Sequence, residues 1–176
     1  KSDAPYEEFP AKVTGNDCFT ASPSLNDWYE TIKLNYGKDF RTGAQITDPT
    51  PDTWLRMYEI LNFWAAKGVD GFRIDMAGMV PLAFWQWVIP RLKGKFPSLI
   101  LIAELYEPAL YQDFVKAGFD YLYDKAGLYN RLEAILRYAQ AADSLSICWK
   151  MLQGLDDSML RFMENHDEPR LASPHF

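Results

Sequence analysis

Two short stretches decide the fold: Val69-Asp70-Gly71-Phe72-Arg73-Ile74-Asp75 (VDGFRID) and Leu99-Ile100-Leu101-Ile102-Ala103-Glu104 (LILIAE). The first reads as a short, largely buried strand. In the second, the continuous apolar run before Glu104 is what a parallel strand covered on both faces looks like. Both end on a carboxylate. Between them, Pro81 to Phe96 reads as a helix burying Phe84, Trp85, Val88, Ile89 and Leu92, with Pro97 as its stop. Upstream, Asp52 or Thr53 caps a helix in which Trp54, Leu55, Tyr58, Leu61, Trp64 and Ala65 recur at helical spacing, and Gly68 closes it. Downstream, Pro108 to Ala117 is helical and Gly118 caps it. Phe119 to Tyr123 is a third strand, Gly127 to Ala142 and Ser144 to Gly154 are helical, and Met159 to Met163 is a fourth strand, ending at Glu164-Asn165-His166-Asp167.

Four strands alternating with helices imply βαβ units and a parallel sheet. A doubly wound sheet would carry a glycine-rich phosphate turn after its first strand, and none follows Asp75. A (β/α)8 barrel collects charged residues at the C-terminal ends of its strands. Here those ends carry Arg73 and Asp75, Glu104, Asp124, and Asn165-His166-Asp167. The expected fold is therefore α/β, a partial (β/α)8 TIM barrel over residues 53–176. A loop-rich segment, 1–52, precedes it, punctuated by Pro5, Pro10, Gly15, Pro23, Gly37, Gly43, Pro49 and Pro51. Four strands are half of the eight a closed barrel needs. The chain is expected to be a fragment, or to self-associate through exposed barrel edges.

Composition excludes several classes. With 18 Lys and Arg against 24 Asp and Glu, the net charge of −6 argues against a nucleic-acid binder. No apolar run approaches the ~18 residues of a membrane helix. Cys18 and Cys148 cannot build a disulfide framework, and His166 and His175 cannot make a multi-histidine metal site. Aromatic residues are 15% of the chain, which suits sugar rings but on its own points first to plain core packing. Lys1 to Tyr6 is polar with no apolar stretch behind it, so no signal peptide is read, and secreted, periplasmic and cytoplasmic locations all stay open.

Asp75, Glu104 and Asp167 would converge at one rim from three strands. Arg73 shares a strand face with Asp75 and would keep it ionised, as a nucleophile requires. Glu104, leaving an apolar strand near other negative charges, is expected to hold a proton. Two carboxyls so divided are the apparatus of glycoside cleavage. Structural alternatives stand beside each: Asp75 as a helix cap, Glu104 in an inter-strand ion pair, Asn165-His166-Asp167 as a loop bonded to itself, Asp124 and Lys125 as a surface pair.

In this order, Gly71-Phe72-Arg73-Ile74-Asp75, Ile102-Ala103-Glu104 and Phe162-Met163-Glu164-Asn165-His166-Asp167 resemble the nucleophile, acid/base and third-carboxylate motifs of the α-amylase superfamily, glycoside hydrolase family 13. The resemblance implies a catalytic-domain fragment holding strands four to seven, with residues 1–52 as a remnant of the inserted domain B. It implies a retaining glycosidase on α-glucosidic bonds of starch-like glucans or oligosaccharides. Asp75 would attack, Glu104 would act as acid and base, Asp167 would grip sugar hydroxyls, Arg73 would orient Asp75, His166 would touch the sugar and Asn165 would shape the loop. No organic cofactor is required and no metal ligand is named, with calcium left open for the full-length protein. Met76-Ala77-Gly78-Met79 stands where many classical α-amylases carry a Lys-His pair, and Asn165-His166-Asp167-Glu168-Pro169-Arg170 looks more like α-glucosidases and glucan-transferring or isomerising relatives. Two rivals remain: a magnesium-dependent enolase-type barrel and a non-catalytic barrel fragment. The isolated 176-residue chain is expected to be inactive.

Overall fold

The computed structural model describes residues 14–18, 23–28, 30–39, 41–170 and 172–174. His175, Lys1 to Tyr6 and Pro10 lie outside these. The chain divides into two compact units, Lys1–Thr53 and Trp54–Phe176.

In the first unit the described residues are turns and loops, with one isolated antiparallel bridge between Lys38 and Gln45. Polar side chains take over the backbone pairing that a ladder would otherwise provide. The Asn35 side chain accepts from the N–H groups of Gly37 and Lys38 at 2.9 and 2.7 Å, and Asp39 accepts from the N–H of Arg41 at 2.9 Å.

Helix α1, Asp52–Ala66, leads into the second unit, and its C-terminal exit runs through Gly68 at φ +91°. Strand β1 (Gly71–Ile74), helix α2 (Leu82–Lys95), strand β2 (Ile100–Ala103), helix α3 (Tyr111–Ala117) and strand β3 (Tyr121–Tyr123) follow. A π-helical turn at Lys125–Tyr129 leads into helix α4 (Asn130–Tyr138), then helix α5 (Leu145–Met151) and strand β4 (Met159–Leu160). The four strands form one parallel sheet in chain order β1-β2-β3-β4. A doubly wound sheet reverses its order at a switch point. Unbroken sequential order is how a barrel wall is laid down.

One face of this sheet is the core. Leu101, Ala103, Leu122 and Met159 pack there beneath Phe84, Trp85, Val88, Ile89 and Leu92 of α2 and Tyr111, Phe114 and Ala117 of α3. The Trp85 and Phe119 rings meet edge-on at 5.2 Å, and Phe114 stacks on Phe119 at 5.5 Å. Residues two apart share a strand face. Register pairs Gly71 with Ile100, Arg73 with Ile102 and Ile102 with Tyr121, so the side chains of Arg73, Ile100, Ile102 and Tyr121 line the opposite, inward face.

Several sequence expectations change. LILIA is covered on one face only: Leu101 and Ala103 are buried, but Ile100 is 42% exposed. Gly71–Ile74 is half-buried rather than buried, and Val69, Asp70 and Asp75 are exposed, because among the described residues β1 has a strand neighbour on one side only and its inward face is open. In α1, Trp54 and Ala65 are buried, while Leu55 and Trp64 are exposed. The fourth strand pairs over two residues, not five, since β3 offers only Leu122 and Tyr123 as partners. The long helix expected from Gly127 stops at Tyr138, where Ala139 turns left-handed at φ +50°.

Candidate active site

The C-terminal ends of β1 and β2 stand side by side, because Ile74 pairs with Ala103. Asp75 and Glu104 are each the next residue, and Arg73 lies between them. Its guanidinium is 2.5 Å from Asp75 through Nη1 and 2.9 Å from Glu104 through Nη2. Its Nε donates to the Tyr123 hydroxyl at 3.3 Å, and its Cζ lies 5.3 Å from the centre of that ring. Tyr123 reaches the group because β3 alternation turns it to the same inward face. Burial works against the charge of Arg73, but the bonds to Tyr123 and Asp75 and the charge of Glu104 outweigh it and hold the guanidinium above its ordinary range.

Asp75 and Glu104 differ sharply in exposure. The Asp75 side chain is 76% exposed and that of Glu104 is 3% exposed. The hydrogen bond from Arg73 holds the Asp75 carboxyl below the usual carboxylate range, against some burial, with help from Glu104, the charge of Arg73 and His166. Glu104 meets one cation and two hydrogen-bond donors. Besides Arg73, the Tyr106 hydroxyl donates to Oε1 and the Met76 N–H donates to Oε2 at 3.0 Å. Met76 sits at φ +43°, and the next N–H, of Ala77, donates to the Glu104 carbonyl at 2.9 Å. The turn after β1 is thus fastened to Glu104 twice. A small cleft of about 70 Å³ opens here, lined by Met76, Gly78, Met79, Glu104, Tyr106 and Glu107. Tyr106 is pushed up by burial first and by Glu104 second, with a further contribution from Asp167.

The third motif lies on a loop beyond β4. The Asn165 side-chain oxygen accepts from the N–H groups of Asp167 and Glu168, at 2.9 and 3.0 Å, folding the loop over itself. His166 Nε2 is 3.2 Å from Asp167 Oδ2, and both side chains are exposed. His166 adds to the lowering of Asp75 and Asp167 to the raising of Tyr106, and Lys125, which pairs with Glu168 and lies 5.5 Å from the centre of the Tyr106 ring, brings the far end of this loop to the Glu104 side.

Asp124 is not a surface partner of Lys125. It is buried, accepts from the Leu128 N–H at 2.9 Å to cap the π turn, and lies 3.6 Å from Arg161. Lys125 instead pairs with Glu168. Four contributors escaped the sequence reading: Tyr106, Tyr123, Lys125 and Glu168. The first two carried a signal, being two residues from Glu104 and on the inward register of β3. The Lys125–Glu168 pair carried none, because it joins segments distant along the chain. Among the described residues no cluster of three or more His, Cys, Asp or Glu is arranged to hold a metal ion, and no helix is long and apolar enough to cross a membrane.

No protein-family model matches the chain. Among characterised proteins it is similar to α-1,4-glucan:maltose-1-phosphate maltosyltransferases. The Rhodospirillum rubrum enzyme is 36% identical over 73 residues, covering 41% of this chain and 11% of the relative. The Corynebacterium glutamicum enzyme is 34% identical over 118 residues, covering 66% of this chain and 16% of the relative. The chain therefore matches only a small part of these relatives' length. Among solved structures it is similar to the cyclic α-maltosyl-(1→6)-maltose hydrolase of Arthrobacter globiformis in complex with maltose (TM-score 0.60, 18% identity, 99% of this chain and 39% of that one). It is also similar to the acarbose-complexed α-amylase of Geobacillus thermoleovorans (TM-score 0.59, 20% identity, 76% and 34%). At these identities the structures speak for the fold, a part of a (β/α)8 barrel. Together, the sequence relatives and these folds support reading the chain as a fragment of an α-amylase superfamily protein, glycoside hydrolase family 13, with part of its barrel.

Proposed function

We propose that this chain supplies the catalytic carboxyls of an enzyme that cleaves α-glucosidic bonds with retention and passes the glycosyl group to water or to an acceptor sugar. The observation that carries this is the shared guanidinium: Asp75 and Glu104 both lie against Arg73, at 2.5 and 2.9 Å. Retaining enzymes keep their two carboxyls about 5–5.5 Å apart, whereas inverting ones leave room for a water between them. Two carboxyls on one guanidinium suit the closer arrangement.

In this reading the Asp75 carboxylate attacks the anomeric carbon as the bond to the leaving oxygen breaks, and Glu104 gives that oxygen its proton. The resulting ester is opened when Glu104 takes a proton from water or a sugar hydroxyl, which attacks the same carbon and frees Asp75. The Tyr106 hydroxyl both donates and accepts, so it serves Glu104 in either protonation state. Asp167 and His166 would hold ring hydroxyls, with Asn165 keeping their loop folded. Residues 1–52 we read as the remainder of an inserted domain B. The magnesium reading fits less well, because Glu104 faces a guanidinium, a hydroxyl donor and an N–H, where a cation would need oxygen acceptors.

A second reading, transfer rather than hydrolysis, is favoured by the maltosyltransferase relatives. The two separate by products: incubated with maltooligosaccharides and maltose 1-phosphate, a transferase lengthens chains and a hydrolase releases free sugar. For either, Asp75→Asn and Glu104→Gln in the full-length polypeptide are expected to lower turnover by factors of about 10² to 10⁴ with the fold intact. Near-normal turnover in one variant would reject that residue's role, and an inverted product by NMR would reject retention.

A further inference from the structure

Lys125 stands apart from the three motifs yet touches what surrounds two of them. Its ammonium lies 5.5 Å from the centre of the Tyr106 ring and 5.1 Å from that of Tyr129, and it pairs with Glu168. Neither partner of that pair is much exposed, at 24% for Lys125 and 13% for Glu168. Tyr106 is the residue whose hydroxyl donates to Glu104. Glu168 is the residue whose N–H donates to Asn165, the side chain that folds the loop carrying His166 and Asp167. One cation therefore sits against both the support of Glu104 and the far end of the Asp167 loop. Aromatic faces attract a cation, and a half-buried ion pair is screened less than a surface one.

We propose that Lys125 is a positioning residue that clamps the Asn165–Glu168 loop against the Glu104 side of the site, so that Asp167 and Glu104 are held at a set separation. This rests on the proposed glycosyl-transferring function for its consequence in catalysis, but not for the clamp itself. Lys125 is poorly placed to contribute chemistry, since its charge is already committed to Glu168 and two rings. Its action runs through the geometry of other groups, which binding energy realised in the transition state requires.

The clamp is tested by Lys125→Met, which keeps the stem and removes the charge, with Lys125→Arg and Glu168→Gln alongside. Hydrogen exchange in the full-length polypeptide should be faster by about tenfold or more at the amides of Asp167 and Glu168 in Lys125→Met and Glu168→Gln, with the β1–β3 amides unchanged. Lys125→Arg should return it towards the parent rate, because the cation is restored. In turnover, Lys125→Met should lower kcat by about tenfold with less change in KM, the pattern of an interaction made in the transition state. Unchanged exchange at Asp167 and Glu168 overturns the clamp whatever the enzyme does. Faster exchange in a polypeptide that cleaves no glucoside leaves the clamp standing and sinks the function. Equal loosening of β1–β3 together with the loop, unrescued by Arg, reduces Lys125 to a packing residue and overturns the proposal.

Discussion

Arg73 serves two carboxyls to which the proposed function gives opposite duties. It donates to exposed Asp75 and lies against buried Glu104, while Tyr123 fixes its remaining edge. For Asp75 the consequence has a definite sign. A carboxyl held low stays ionised to lower pH than its ordinary ~3.9, so attack by Asp75 should fail only once pH drops through that depressed value. The acid limb of kcat/KM reports the free enzyme's essential groups. Arg73→Met removes the largest cause of the depression, so that limb should move to higher pH, with Arg73→Lys between it and the parent. A limb unmoved in Arg73→Met would show that Asp75 does not set it. Asp124 marks the contrast at the same scale. It too follows a strand, but one oxygen is spent on the Leu128 N–H, the other faces Arg161, and it is not among the residues lining the cleft at Glu104. A carboxylate at a barrel rim is thus not enough: Asp75 is exposed, Asp124 is not.

The two strands that carry the site approach closely where Gly71 opens β1. A Cβ at Gly71 would lie 2.2 Å from the carbonyl oxygen of Ile100, its register partner. That obstacle is backbone of the paired strand, so β1 and β2 would have to separate. Gly71→Ala should therefore destabilise by about 1–3 kcal/mol, as overpacking does, read as a lower urea midpoint. Gly94, in α2, is the control, since a Cβ there meets nothing within 4 Å. Gly94→Ala should stabilise by about 0.5–1 kcal/mol, because an exposed helical glycine loses more backbone freedom on folding than alanine does. If both changes had the same sign, the close approach of β1 to β2 would not be the reason for Gly71. Gly118 acts at the other end of the hierarchy, closing α3 at φ +111° so that the chain turns directly into β3.

At the scale of the molecule, the second unit is a barrel wall with one finished side. Its helix-facing surface is packed, while Ile100 and Tyr121 stay partly open on the inward face, and β1 and β4 each pair with a single strand among the described residues. Unpaired parallel edges with apolar neighbours invite pairing. The 176-residue chain by itself should accordingly associate at micromolar concentration, with light scattering giving a mass above the 20.3 kDa of one chain. A monodisperse monomer under those conditions would count against this. What was legible in the sequence was local. The α2 core residues Phe84, Trp85, Val88, Ile89 and Leu92 follow from periodicity, and all five are buried. The parallel order of the strands follows from alternation with helices. The pairing of Arg73 with Asp75 follows from the two-residue repeat of a strand. What periodicity could not say was which apolar residues lack a cover. LILIA reads the same whether one face or both are packed, and only the sheet's extent leaves Ile100 exposed. Nor could spacing bring Tyr106 to Glu104, Tyr123 to Arg73, or Lys125 to Glu168. A side chain's partner across strands or loops depends on register and on where distant backbone turns, and those are properties of the assembled sheet, not of any stretch of residues within it.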